Sequence, residues 1–261
     1  MKYILIIGII LSAAFLPLMP VSASQMIPDR PGRTESSAVV PFRALQIESG
    51  FEREYKETPF SKYWGYVYHT TMLRYGLSEN FELRMAIDYL GWKVDYVDPL
   101  TDPPEKRGFS PLYAGFKFRV MEGGGLAPEI ALLGAMNLPF VADEEYETSY
   151  IAPEMKLAFT HYLSDFVTIG YNLGAEWDGE SGIPYYFYSL GFGFGITNYL
   201  GIFVETYGLM PEEGREKHLF HGGLTFPVLP NLHLDASAGF GYTECSIDNF
   251  FGFGATLRIP E

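Results

Sequence analysis

A single cysteine, Cys245, stands among the 261 residues, so the chain can close no disulfide on itself and must draw its stability from elsewhere. Cations are few: 18 Lys and Arg face 32 Asp and Glu, and the formal net charge of −14 argues against nucleic acid as a partner. Beyond Ala23 no apolar run reaches the length of a spanning helix, and no segment keeps an i, i+3, i+4 apolar spacing for long. Helices are therefore a minor component at most. Motifs for chemistry are missing too. No G-x-S-x-G occurs, and GFGFG, Gly191 to Gly195, lacks both the spacing of a dinucleotide fingerprint and the helix that must follow one. His69, His161, His218, His221 and His233 form no ligand motif with a carboxylate or with Cys245. An enzyme, a metal site and a cofactor are thus left without support in the sequence.

What is present begins with Lys2, the apolar run YILIIGIILSAAFLPLMP, and small residues at Val21 and Ala23. This is the layout of a secretory signal peptide cleaved after Ala23. Residues 1–23 are assigned to it, 24–41 to a polar N-terminal segment, and 42–261 to the folded domain. In that domain period two dominates. In FELRMAIDYL, Phe81, Leu83, Met85, Ile87 and Tyr89 share one face and Glu82, Arg84, Ala86 and Asp88 the other. In LYAGFKFRV, Leu112, Ala114, Phe116, Phe118 and Val120 oppose Tyr113, Gly115, Lys117 and Arg119.

Such alternation recurs twelve times, near 42–53, 66–76, 81–91, 109–120, 126–138, 151–161, 165–177, 184–196, 199–209, 217–226, 231–243 and 250–259. Ten and fourteen strands also lie within the spread of these boundaries. Connections after even-numbered strands are short (LSEN, MEGGG, YLSD, TN, PVLP), whereas those after odd ones are mostly longer and acidic, such as PFVADEEYETSY and WDGESGIP. Short turns at one end, long loops at the other, and strands of spanning length predict a closed antiparallel transmembrane β-barrel of about 12 strands in the outer membrane of a Gram-negative-type bacterium. The apolar faces then meet lipid and the polar faces line a lumen.

Side chains expected on the luminal face include Glu48, Arg84, Asp88, Lys117, Arg119, Glu154, Glu176 and Asp235, the candidates for setting selectivity; Glu52, Glu82, Glu129 and Glu205 share that face. Arg84, Lys117 and Arg119 would form a basic patch opposite Glu48 and Glu154, giving a transverse field. Glycines on the same face (Gly191, Gly193, Gly195, Gly239, Gly241, Gly252, Gly254) either let the wall curve or leave room for a solute or a segment of chain. Acidic loops around Asp143 to Glu147 and Pro211 to Lys217 are solvated surface, or join cation bridges to lipopolysaccharide.

The stretch from Ile27 to Glu54 resembles the start of a family of bacterial outer-membrane transporters known as meta-pathway of phenol degradation proteins. The resemblance rests on Asp29, Arg30 and Pro31, on Thr34, Glu35 and Ser36, on Pro41, and on QIESGF from Gln46 to Phe51. It implies a channel or transporter passing small organic solutes, aromatic or hydrophobic ones among them, with outer-membrane lipid, lipopolysaccharide and the barrel-assembly machinery as partners and no enzymatic step. Ile259 stands where such barrels usually carry the aromatic residue read on insertion. Two other readings stay open: a plugged structural or adhesive barrel binding a partner by its external loops, and a barrel enzyme acting on lipid. The polar stretch PDRPGRTESS admits two placements. It is a solvated periplasmic tail, or it enters the pore, where Asp29, Arg30, Arg33 and Glu35 pair with luminal charges.

Overall fold

The computed structural model describes residues 26–96, 104–212 and 214–260; the expected signal peptide lies outside the described residues. Thirteen strands follow one another: β1 (Leu45–Glu57), β2 (Ser61–Ser78), β3 (Phe81–Tyr96), β4 (Glu105–Phe109), β5 (Leu112–Met121), β6 (Glu129–Leu138), β7 (Ala152–Ser164), β8 (Val167–Trp177), β9 (Pro184–Thr197), β10 (Leu200–Pro211), β11 (Lys217–Leu229), β12 (Leu232–Gly241) and β13 (Asn249–Ile259). Each pairs antiparallel with its neighbours, and β1 pairs with β13 from Leu45↔Ile259 to Tyr55↔Asn249, which closes the wall. Closure leaves only the far edge of the short β4 outside the strand ladder. Strands β4 and β5 both pair with β3, one above the other, so thirteen strands make twelve positions around the barrel.

Two departures from the periodicity have local causes. The fourth position is broken at Ser110–Pro111, because Pro111 has no N–H for the ladder; Ser110 instead exchanges bonds with the backbone of Asp88. The free edge of β4 is then sealed by the 142–147 loop: the Phe109 N–H donates to Asp143 Oδ2 (2.8 Å) and its carbonyl accepts from the Asp143 N–H (3.1 Å). Glu145 pairs with Lys106 of the same strand. Asp143 and Glu145, expected to be solvated surface or to join cation bridges to lipopolysaccharide, are therefore engaged in closing the wall. The second departure is length. Residues 54–65, expected to connect the first two strands, continue β1 and β2 outward as paired strand, with only 58–60 between them.

The faces fall as the alternation requires. Leu83, Met85, Leu173, Val204 and Phe253 are exposed on the outer wall, while Glu82, Lys117 and Asn172 are fully enclosed on the inner one. Large apolar groups outside and charge inside is the inverse of a soluble barrel's pattern, and it is what a wall solvated by lipid needs. Outward tyrosines lie near both strand ends: Tyr75, Tyr162 and Tyr199 at the short-turn, periplasmic end and Tyr186 and Tyr242 at the other.

Candidate functional site

The inner wall is not left to water. Residues 26–41 enter from the periplasmic end, rise into the lumen as far as Gly32–Thr34, and return to the rim, where Phe42 bridges Gly76. From 26 to 40 the segment forms no β-ladder. Its backbone N–H and C=O groups are satisfied by wall side chains instead, as burial demands. The N–H groups of Asp29 and Arg30 donate to Glu48 (3.2 and 3.0 Å), and those of Arg33 and Thr34 donate to the two oxygens of Glu205 (2.6 and 2.8 Å). The Glu35 N–H meets Asn172 Oδ1 (2.7 Å), the Ser37 N–H meets Thr160 Oγ1 (3.0 Å), and the Val40 N–H meets Glu82 Oε2 (2.6 Å).

The charged side chains of the segment pair with both sides of the pore. Asp29 is the centre of one cluster: its Oδ2 lies 3.1 Å from Arg74 Nη1, 2.8 Å from Arg84 Nη2 and 2.8 Å from Lys117 Nζ. Glu35 joins Arg84 and stands 3.7 Å from Lys156. Across the lumen Arg30 reaches Asp235 (3.3 Å) and the Phe253 carbonyl (3.2 Å), and Arg33 reaches Glu52 (2.5 Å). Burial alone would raise the Asp29 and Glu35 carboxyls, but the surrounding cations, Arg74, Lys117 and Arg84 for the first and Arg84 and Lys156 for the second, hold both below the ordinary carboxylate range.

Small residues make the seat. A Cβ on Gly50 or Gly254 would run into the Arg30 guanidinium, and one on Gly191 would crowd Thr34. Gly50, Gly191 and Gly254 therefore leave room for the chain's own segment, whereas Gly193, Gly239, Gly241 and Gly252 face neighbouring residues of the wall.

The sequence-predicted luminal residues divide into four groups. Glu48, Arg84, Lys117 and Asp235 contact the segment directly. Glu154 binds Lys156 at 2.9 Å and stands in register with Glu176, above the segment. Asp88 faces the lumen beside the β4–β5 break, with Oδ1 buried and without a partner. Arg119 departs from the expected basic patch. It lies one step nearer the rim, where it binds Asn80, the Glu79 carbonyl and, at 3.6 Å, Glu129. Arg74 takes its place beside Arg84 and Lys117, and Glu48 belongs to that same cluster rather than to an opposing wall. Arg74 escaped the sequence reading because the bulge between Val67 and His69 breaks the phase of β2, although TTMLRYG alone places Arg74 opposite Leu73 and Tyr75.

Outward of the segment the lumen changes character. Phe187, Tyr207, Leu219 and Phe250 form an apolar cluster on one wall, with Leu209 and Ile247 against it. Beside it, across the β1–β13 joint where Glu54 pairs with Phe250, a cavity of about 230 Å³ is lined by Glu54, Tyr63, Leu90 and Trp92 and roofed by Tyr146 of the 142–147 loop. The lumen, expected to be polar throughout, is ionic in its periplasmic half and in its outer half sets aromatic and apolar groups beside Glu54, Glu154, Lys156 and Glu176.

The family described as "Putative MetA-pathway of phenol degradation" matches residues 28–259. Among solved structures, the chain is similar to the COG4313 outer membrane channel from Pseudomonas putida F1, at 12% identity and a TM-score of 0.67, covering 90% of this chain and 100% of that one. It is similar to the translocator domain of the autotransporter NalP from Neisseria meningitidis at 9% identity and a TM-score of 0.55, covering 84% and 90%. The transport unit of the autotransporter AIDA-I from Escherichia coli gives 10% and 0.53, covering 89% and 93%. At these identities the likeness is one of fold, that of outer-membrane barrels. No curated protein sequence matches the chain.

Proposed function

The chain belongs to the family of the MetA-pathway of phenol degradation, and from that premise we propose that it is an outer-membrane channel for small organic solutes, aromatic and hydrophobic ones among them, closed in its periplasmic half by its own residues 29–40. One observation carries this reading: the closing segment is seated by side chains alone, with no ladder bonds from 26 to 40. No ladder bond has to break for the segment to leave, only ion pairs and hydrogen bonds to wall side chains. The apolar cluster of Phe187, Tyr207, Leu219 and Phe250 supports the solute class, since apolar rings leave water for such a lining with a gain that scales with the area covered. The 230 Å³ cavity lies below the size of drug-sized sites, in keeping with a small solute. The Pseudomonas putida relative is itself described as an outer membrane channel.

Planar-bilayer recording of the full chain beside a chain lacking residues 29–36 tests this. The expected result is higher conductance for the shortened chain. Silence from both would mean a sealed structural barrel, and equal conductance would remove the segment's role as closure.

A further inference from the structure

We infer that Arg74, Arg84 and Lys117 form a receptor for the carboxylate of an organic acid with an apolar body, that Asp29 occupies this receptor in the closed barrel, and that such a solute opens the channel by taking Asp29's place. The inference rests on the channel reading above and names its solute class more narrowly.

Lys117 is the strongest indication. It is completely buried on the inner wall, and its bonds run to Asp29 Oδ1 and Oδ2 (3.1 and 2.8 Å), to the Ser36 carbonyl (2.9 Å) and to the Ala38 carbonyl (3.5 Å), with Glu35 at 4.0 Å. All of these partners belong to the removable segment. Departure of the segment removes every one of these bonds and leaves the ammonium to water and the neighbouring Glu82, so an anion that takes the vacated seat stabilises the open state.

Charge selects the replacement. The wall supplies three cations to the cluster, Arg74, Arg84 and Lys117, and two carboxylates, Glu48 at 2.9 Å and Glu82 at 2.8 Å from Arg74. Without the segment one positive charge is unmatched. A monoanion balances it; a phosphate dianion would overfill it beside Glu48 and Glu82. Shape selects further. The wall presents donors to both oxygens of a flat two-oxygen group, with Arg74, Arg84 and Lys117 on Oδ2 and Lys117 on Oδ1. Outward of the seat the wall offers Trp92, Leu90 and Tyr63 beside Glu54, and Phe187, Tyr207, Leu219 and Phe250, apolar surface that favours an apolar or aromatic body behind the carboxylate.

Bilayer recording of the full chain in benzoate, against an equal concentration of benzamide at fixed chloride and ionic strength, tests the idea. Benzoate should raise the open fraction at least about tenfold, as one charge-assisted contact implies, and benzamide should not. The second arm is chemical rescue: in Asp29→Gly, trypsin should reach Arg33, and acetate but not acetamide should restore its protection. A barrel that conducts alike in both aromatic solutes, or a folded Asp29→Gly barrel that acetate fails to protect, overturns the inference and leaves the channel reading standing. A barrel silent in every form overturns both.

Discussion

The seating of residues 29–40 is tested most directly by Asp29→Asn, which keeps the shape of the side chain and removes its charge. Asp29 Oδ2 lies within 3.1 Å of Arg74, Arg84 and Lys117, and all three cations are almost wholly enclosed. Arg74 and Arg84 retain Glu82 in the variant, but Lys117 is left with carbonyls and Glu35 at 4.0 Å. Removing one partner of a buried ion pair costs about 3–5 kcal/mol, which is roughly a hundredfold to several-thousandfold increase in the unseated fraction at about 1.4 kcal/mol per decade. Trypsin reads this fraction, because the Arg33–Thr34 bond is cleavable only when the Arg33 backbone has left Glu205. In limiting protease the cleavage rate follows the open population. Adding Lys117→Met should recover much of the loss, since no unpaired cation then remains, so the double variant should cleave more slowly than the product of the two singles. Cleavage of Asp29→Asn within about threefold of the parent, well under the loss expected for a broken buried pair, would refute the reasoning.

Three further outcomes follow from the same geometry. Because Asp29 and Glu35 are held below the ordinary carboxylate range, their contribution is complete above that range and is lost as pH falls through the lowered values; conductance of the full chain should stay flat from pH 7 to about 4 and rise only below, and opening between pH 7 and 5 would contradict this. Gly50→Ala puts a methyl group where the Arg30 guanidinium lies; loss of its bonds to Asp235 and Phe253 should weaken the seat by about 1.5–3 kcal/mol, seen as faster cleavage at Arg33 with an unchanged heat-induced gel shift of the barrel. Leu173→Lys sets a charge on the lipid face near the middle of β8 and should cost about 2–4 kcal/mol in urea unfolding from lipid vesicles; no cost would mean that this face does not meet hydrocarbon.

Strand positions and faces were legible in the sequence because a membrane wall writes them twice, once as period two along each strand and once as the contrast of short and long connections. Phe81 to Tyr89 and Leu112 to Val120 needed no knowledge of their neighbours. The fourth position was harder, since Glu105–Phe109 is a short piece of strand separated by Pro111 from its continuation. The seat of the N-terminal segment was legible only in its ingredients. Asp29, Glu35, Glu48, Arg84 and Lys117 could be set on one polar surface, but which of them meet depends on strands far apart in the chain: the partners of Asp29 come from β2, β3 and β5, and those of Arg30 from β1, β12 and β13. No local pattern encodes such a meeting. The apolar outer lumen was hidden for a related reason, because Phe187, Leu219 and Phe250 alternate with equally apolar residues on the lipid side.

Arg30 also spans the line where the barrel joins its own beginning to its end. Its N–H bonds Glu48 on β1, and its guanidinium bonds Phe253 on β13 and Asp235 on β12. The pocket that receives Arg30 does not exist until β13 has found β1. Residues near the start of the chain are thus among the last to reach their places, and their arrival braces the one joint that assembly had to leave until the end.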